Sequence, residues 1–166
     1  MGSVRRELLQ VLGIAALLYA VFVCAIPALL LWSTASLTVP TPSAAFWLGS
    51  ALAVCGLLLY VRAVWELIVM ARTSASPLAA PTHLRTDGSY AWSRNPLLLG
   101  VVAILVGQAV AFRSRALAVY AVAYWTWLHV FIVTREEPVL RERFGAAYAD
   151  YCRRVPRWFV PRLFRR

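Results

Sequence analysis

Arg94, Asn95 and Pro96 on one side of an apolar stretch, and Glu136 and Glu137 on the other, are the residues of this chain best placed to do chemistry. Asn is a favoured N-cap and Pro a favoured first helical residue, so Asn95-Pro96 should start a helix. The free amides of such a start favour a carboxylate or another anion, and Arg94 adds charge of the same sign. The competing reading is a capped helix with a snorkelling arginine. Residues 82–96 run Thr-His-Leu-Arg-Thr-Asp-Gly-Ser-Tyr-Ala-Trp-Ser-Arg-Asn-Pro. Asp87-Gly88 is a turn signal that re-aims Ser89 and Tyr90. His83 precedes it, and a lone loop histidine is more often hydrogen-bonded or solvated than functional.

Two adjacent acids at the end of a membrane helix are expensive unless they face water, a partner or a ligand. They point about 100° apart on a helix, so one can face a pocket while the other is solvated. Glu137, Leu140, Phe144, Tyr148 and Tyr151 then recur at helical spacing, which makes one face of an amphipathic helix. Gly145 in that pattern should mark a bend. The blander reading is a surface anchor helix with solvated acids.

The elements that must position these groups are membrane helices. The chain has 166 residues, of which 61% are hydrophobic and 14% charged, against roughly 45–50% and about 25% for a soluble domain. The excess lies in blocks. Spans are expected at residues 8–32 (with Pro27 as a kink), 45–71, 96–112 and 116–134, each close to the roughly 20 apolar residues a crossing helix needs. Arg62 and Glu66 should share one face of the second span. The short Arg113-Ser114-Arg115 turn makes spans three and four an antiparallel hairpin. That hairpin should bring its two flanking clusters to one membrane face, where they would enclose a polar pocket. The expected fold is therefore all-α: one membrane domain of four transmembrane helices plus a C-terminal amphipathic interfacial helix.

The basic residues are all arginine, and the net charge is +10. They flank apolar spans, which points to topology and lipid headgroups rather than nucleic acid. The loop before span two is uncharged, while residues 135–166 hold nine arginines. The positive-inside rule places both termini and the 72–95 loop in the cytoplasm; Arg113 and Arg115 run against it and would snorkel to the far headgroups. Cys24, Cys55 and Cys152 show no CxxC spacing, so neither a disulfide framework nor a metal site is expected. The tryptophans suit interfacial belts, His129 a packed, hydrogen-bonded position, and Gln108 an interhelical hydrogen bond or a cavity wall.

At its two clusters the chain resembles the isoprenylcysteine carboxyl methyltransferase family, within the wider group of membrane methyltransferases that includes phospholipid methyltransferases. The resemblance rests on Leu84, Thr86, Gly88, Tyr90, Ala91, Trp92, Arg94, Pro96 and Gly100. It continues through Glu136, Glu137, Leu140, Phe144, Gly145, Tyr148, Tyr151, Arg154, Val155 and Pro156. It implies S-adenosylmethionine as cofactor, bound without a Rossmann motif by elements at 76–98 and 135–161. Carried over by position, the cofactor contacts are Thr82, His83, Leu84, Arg85, Tyr90, Asn95, Pro96, Leu97, Leu98 and Glu136. Arg94 and Glu136 are the catalytic candidates, and no metal is implied. The acceptor would be a lipophilic small molecule or lipidated group entering between helices. The chain departs from the family pattern at Asn95 (His), Leu98 (Tyr) and Ile132, where the family has a substrate-side Arg, and the last of these bears on isoprenylcysteine as the acceptor. Two alternatives stand beside this reading: an NADPH-dependent sterol-type membrane reductase, and a non-catalytic lipid- or partner-binding membrane protein.

Overall fold

The computed structural model describes residues 10, 13–14, 16–34, 42–73 and 84–158, with only the backbone described for residues 70–73. Thr82, His83 and the tail beyond residue 158 lie outside that set. The described residues form helices α1 (Ala16–Ser33), α2 (Ala44–Thr73), α3 (Pro96–Ala111), α4 (Arg115–Phe131) and α5 (Glu137–Arg154). A 3-10 turn at Gly88–Ala91 precedes α3, and a π turn at Ile132–Glu136 joins α4 to α5. Three helical stretches are long and apolar enough to cross a membrane: α1, α2, and the continuous rod that holds α4. In that rod the uncharged stretch is residues 116–134. The third expected span, α3, has 16 residues, which is about 24 Å of helix against a hydrocarbon core of roughly 30 Å.

The α2–α3 interface is built on glycine. A β-carbon on Gly56 would lie 2.7 Å from the Gly100 carbonyl oxygen, and one on Gly107 would lie 2.6 Å from that of Gly49. The pairs 49/107 and 56/100 each step by seven residues in opposite directions, so the helices are antiparallel and touch backbone to backbone. Small residues permit this close packing where no hydrophobic force drives helices together in lipid. Val23, Val101, Ile104, Leu105 and Ala121 form the core, with Tyr19, Tyr60, Tyr120 and Tyr124 packed against it. Leu17, Trp32, Leu48, Leu58, Val119 and Trp127 point outward from these helices.

A π turn at Ala20–Ala25 lies just before the expected kink residue, Pro27. The Ile26 amide reaches the Val21 carbonyl instead of that of Phe22. Pro27 has no amide to offer Val23. Both carbonyls are served from other helices: Tyr120 Oη donates to Phe22 O at 2.8 Å, and Gln108 Nε2 to Val23 O at 3.0 Å. Gln108 is thus the interhelical hydrogen bond its position suggested. The second π turn sits likewise just before a proline, Pro138, and Glu137 N reaches back to Ile132 O.

Candidate active site

The end of α2, the segment leading into α3, the second π turn and α5 line a cavity of about 160 Å³. Leu67, Leu84, Arg85, Tyr90, Arg94, Asn95, Ile132, Glu136, Glu137, Leu140, Phe144, Tyr148 and Tyr151 line it. The two sequence clusters therefore meet at one end of the bundle. The 3,4,4,3 stripe of α5 is the stripe that faces inward, with Tyr148 and Tyr151 each 2% exposed. Gly145, at φ 48° and ψ −122°, breaks helical geometry in the middle of α5 and bends it.

Glu137 is the centre of the charge arrangement. Its side chain is 5% exposed. Arg157 grips it with two hydrogen bonds, Nε to Oε1 at 2.6 Å and Nη2 to Oε2 at 3.0 Å. Arg94 Nη1 donates to Oε1 at 2.9 Å. Burial pushes the Glu137 carboxyl up, but the Arg157 hydrogen bond and the charges of Arg94, Arg157 and Arg141 outweigh it and hold the pKa below the ordinary value. The Arg157 pKa is raised, first by that hydrogen bond. Arg94 Nη1 also lies 2.9 Å from Cys152 Sγ and 3.5 Å from Tyr148 Oη. Its Nε is buried and has no partner.

Residues 155–158 form a strap that ties α5 to the start of α3. Arg94 N donates to Pro156 O at 2.9 Å. Ser93 Oγ and Asn95 Nδ2 both donate to Arg157 O, at 3.2 and 3.1 Å. Asn95 thus occupies the N-cap position of α3, but its side chain makes no capping bond; its Nδ2 donates to the strap instead. Trp158 Nε1 donates to His129 Nδ1 at 3.1 Å, so His129 is hydrogen-bonded as expected. Trp158, read from sequence as a belt residue, is its partner.

On the other wall Glu66 organises the 3-10 turn. Its carboxylate accepts Ser89 N at 3.1 Å, Ser89 Oγ at 2.5 Å and Arg62 Nε at 3.1 Å. Gly88 sits at φ 59°, where a β-carbon would lie 2.5 Å from Glu66 Oε1, so both conformation and space require glycine there. Arg85 Nη1 donates to the Glu66 carbonyl. Its Nε lies 3.1 Å from Asp87 Oδ1, too poorly aligned for a hydrogen bond. Tyr151 Oη donates to Tyr90 O at 2.7 Å. Burial, then the Glu136 and Glu66 charges, push the Tyr90 hydroxyl up to about 12, so it remains a donor at neutral pH.

Glu136 lines the same cavity as Glu137 but differs from it in partners and exposure. Among the described residues it has no hydrogen bond and no ion pair. It is exposed by area, yet it lines the cavity, where crowding by protein and then the Glu137 charge raise its pKa.

Of the cofactor contacts expected from sequence, Leu84, Arg85, Tyr90, Asn95 and Glu136 line this cavity. Pro96 instead lines a second one, and Leu97 and Leu98 line neither. Arg94 lines the first, already engaged by Glu137. Sequence reading missed Arg157 and Cys152. Nothing local marks either one: Arg157 is one of nine arginines in an evenly basic tail, and its partner lies 20 residues away.

The frame matches a known family. Residues 44–147 match the phospholipid methyltransferase family. The chain belongs to that family. It is also 29% identical over 89 residues to the delta(14)-sterol reductase TM7SF2 of Mus musculus, a match covering 53% of this chain and 21% of that protein. The chain thus spans about a fifth of the length of that relative. No solved structure gives a significant match.

Proposed function

We propose that this family member transfers methyl groups from S-adenosylmethionine to a lipophilic acceptor in the membrane, with the cavity between α2, α3 and α5 as its cofactor site. The observation that carries this is the inequality of two adjacent acids. Glu137 is saturated by arginines and serves the fold. Glu136 faces the same cavity with no partner among the described residues. An unsatisfied carboxylate beside the Tyr90 hydroxyl and the apolar walls of Leu84, Leu140 and Phe144 suits a ligand with an ammonium, hydroxyls and a flat ring. The cofactor carries all three, so the residues present fit it. Glu136 would hold its amine or hydroxyls, and Arg85 and the unpartnered Arg94 Nε its carboxylate.

The cofactor supplies an electrophilic methyl on a sulfonium. The chain supplies alignment and a dry site, and proximity of that kind contributes up to about 7–11 kcal/mol. A carboxylate acceptor would need no base, while an amine or thiol acceptor would need a route for its proton. The sterol-reductase similarity favours a second reading, an NADPH site in the same cavity. We place that cavity and both termini on the cytoplasmic side, following the arginine distribution.

Calorimetric titration of the purified protein with S-adenosylmethionine and with NADPH separates the two readings. Incubation with labelled S-adenosylmethionine and host lipid should then yield a labelled lipophilic product. Tight NADPH binding with no S-adenosylmethionine binding would sink the methyltransferase reading.

A further inference from the structure

A second cavity, of about 270 Å³, lies on the other side of the segment that builds the first. Leu59, Arg62, Gly88, Ser89, Trp92, Ser93, Pro96 and Leu99 line it. Residues 88–96 are a partition between the two. Tyr90, Arg94 and Asn95 face the first cavity, and Ser89, Trp92, Ser93 and Pro96 face the second. The cofactor site proposed above is the first cavity and leaves this second space unassigned.

Its chemistry is split. Leu59, Leu99 and Pro96 make an apolar floor, and the indole of Trp92 is 65% exposed beside it. Arg62 is the only charged residue in the lining. It spends Nε on Glu66, at 3.1 Å, and its side chain is 66% exposed. Among the described residues its two terminal nitrogens have no acceptor. The Nη edge of a guanidinium is a planar pair of donors that matches two oxygens of a phosphate.

The position of Arg62 says where that phosphate would come from. It stands 18 residues into α2, about 27 Å along the helix from Ala44 and level with the start of α3. Leu58, Val61 and Trp65, which surround it on α2, are 64%, 55% and 59% exposed, an apolar surface suited to lipid chains. A cation at the edge of such a surface, over an apolar floor, fits an amphiphile with a phosphate head.

We propose that this second cavity binds the headgroup of an anionic phospholipid, with Arg62 on the phosphate and Leu59, Pro96, Leu99 and Trp92 around the glycerol and upper acyl chain. Occupancy would brace the partition from behind. It requires no cofactor, so it stands or falls independently of the methyltransferase reading.

The test is native mass spectrometry of the purified full chain, titrated with phosphatidylglycerol, phosphatidylcholine or glycerol 3-phosphate. Wild type should bind phosphatidylglycerol about fivefold more tightly than phosphatidylcholine, the factor expected of one arginine at a membrane surface. Glycerol 3-phosphate should bind far more weakly. Arg62→Gln, which keeps a donor toward Glu66, should abolish the preference. Leu59→Trp, which fills the floor and leaves Arg62 intact, should weaken the binding of both lipids. Arg113→Gln, at the opposite end of the bundle, should keep the preference. The proposal is overturned if Arg62→Gln retains the wild-type preference, if Leu59→Trp leaves the affinity for both lipids unchanged, or if glycerol 3-phosphate binds as tightly as the lipid.

Discussion

Glu136 and Glu137 are chemically identical neighbours with opposite duties, and their substitutions should behave oppositely. Glu136→Gln removes a carboxylate without a protein partner, so thermal stability should stay within about 0.5 kcal/mol of wild type. Cofactor affinity should fall about tenfold or more, the loss of a charge-assisted hydrogen bond. Arg157→Ala should leave a buried carboxylate short of its main partner and lower stability by about 3–5 kcal/mol, visible as a large drop in melting temperature. Acid should do the same to wild type. The Glu137 pKa is lowered by folding, so its contribution is complete above the ordinary carboxylate value and disappears as pH falls through the folded one. A Glu137→Gln variant should lose that part of the acid sensitivity. The sequence announced the pair of acids but not which one would be free. Their 100° separation left both assignments open. The choice was made by Arg157, which arrives from a remote turn.

At the scale of helices, α2 and α3 touch through glycine, and both helices contribute lining to the second cavity. Gly56→Ala would force a β-carbon against the Gly100 carbonyl and should cost about 1–3 kcal/mol through overpacking. Thermal unfolding in detergent would measure it, with Gly13→Ala, where no atom lies within 4 Å, as the neutral comparison. Hydropathy located the helices well: the end of α2 and both ends of α3 and α4 fall within a few residues of their expected bounds. The stripe of α5 and its bend at Gly145 were also legible, because helical periodicity and glycine's cost are local properties. The strap of residues 155–158 and the two π turns were not. They depend on which carbonyls Pro27 and Pro138 leave unserved and on what lies across the bundle to serve them.

For the molecule as a whole, the arrangement is polar: the cavities, the acids and the strap gather at the end where α2 stops and α3 begins. The described residues 84–95 and 135–158, with eight of the chain's arginines, belong to that end. If the positive-inside rule governs insertion, a reporter fused after residue 166 should read as cytoplasmic, and one fused in the 33–43 loop should not. Paired fusions of a phosphatase and a fluorescent protein would decide it. An inverted result would move the cofactor cavity to the compartment opposite the one proposed.

The strap also sets a clock. Arg94 is made 63 residues before Arg157 (157 − 94). At about 5–20 residues per second that is roughly 3–13 s of synthesis. During this interval α2 and α3 can already lie against each other, while the Glu137 carboxylate, once made, still awaits its main counter-ion. The nascent chain therefore passes through a period in which its membrane frame stands and its site does not.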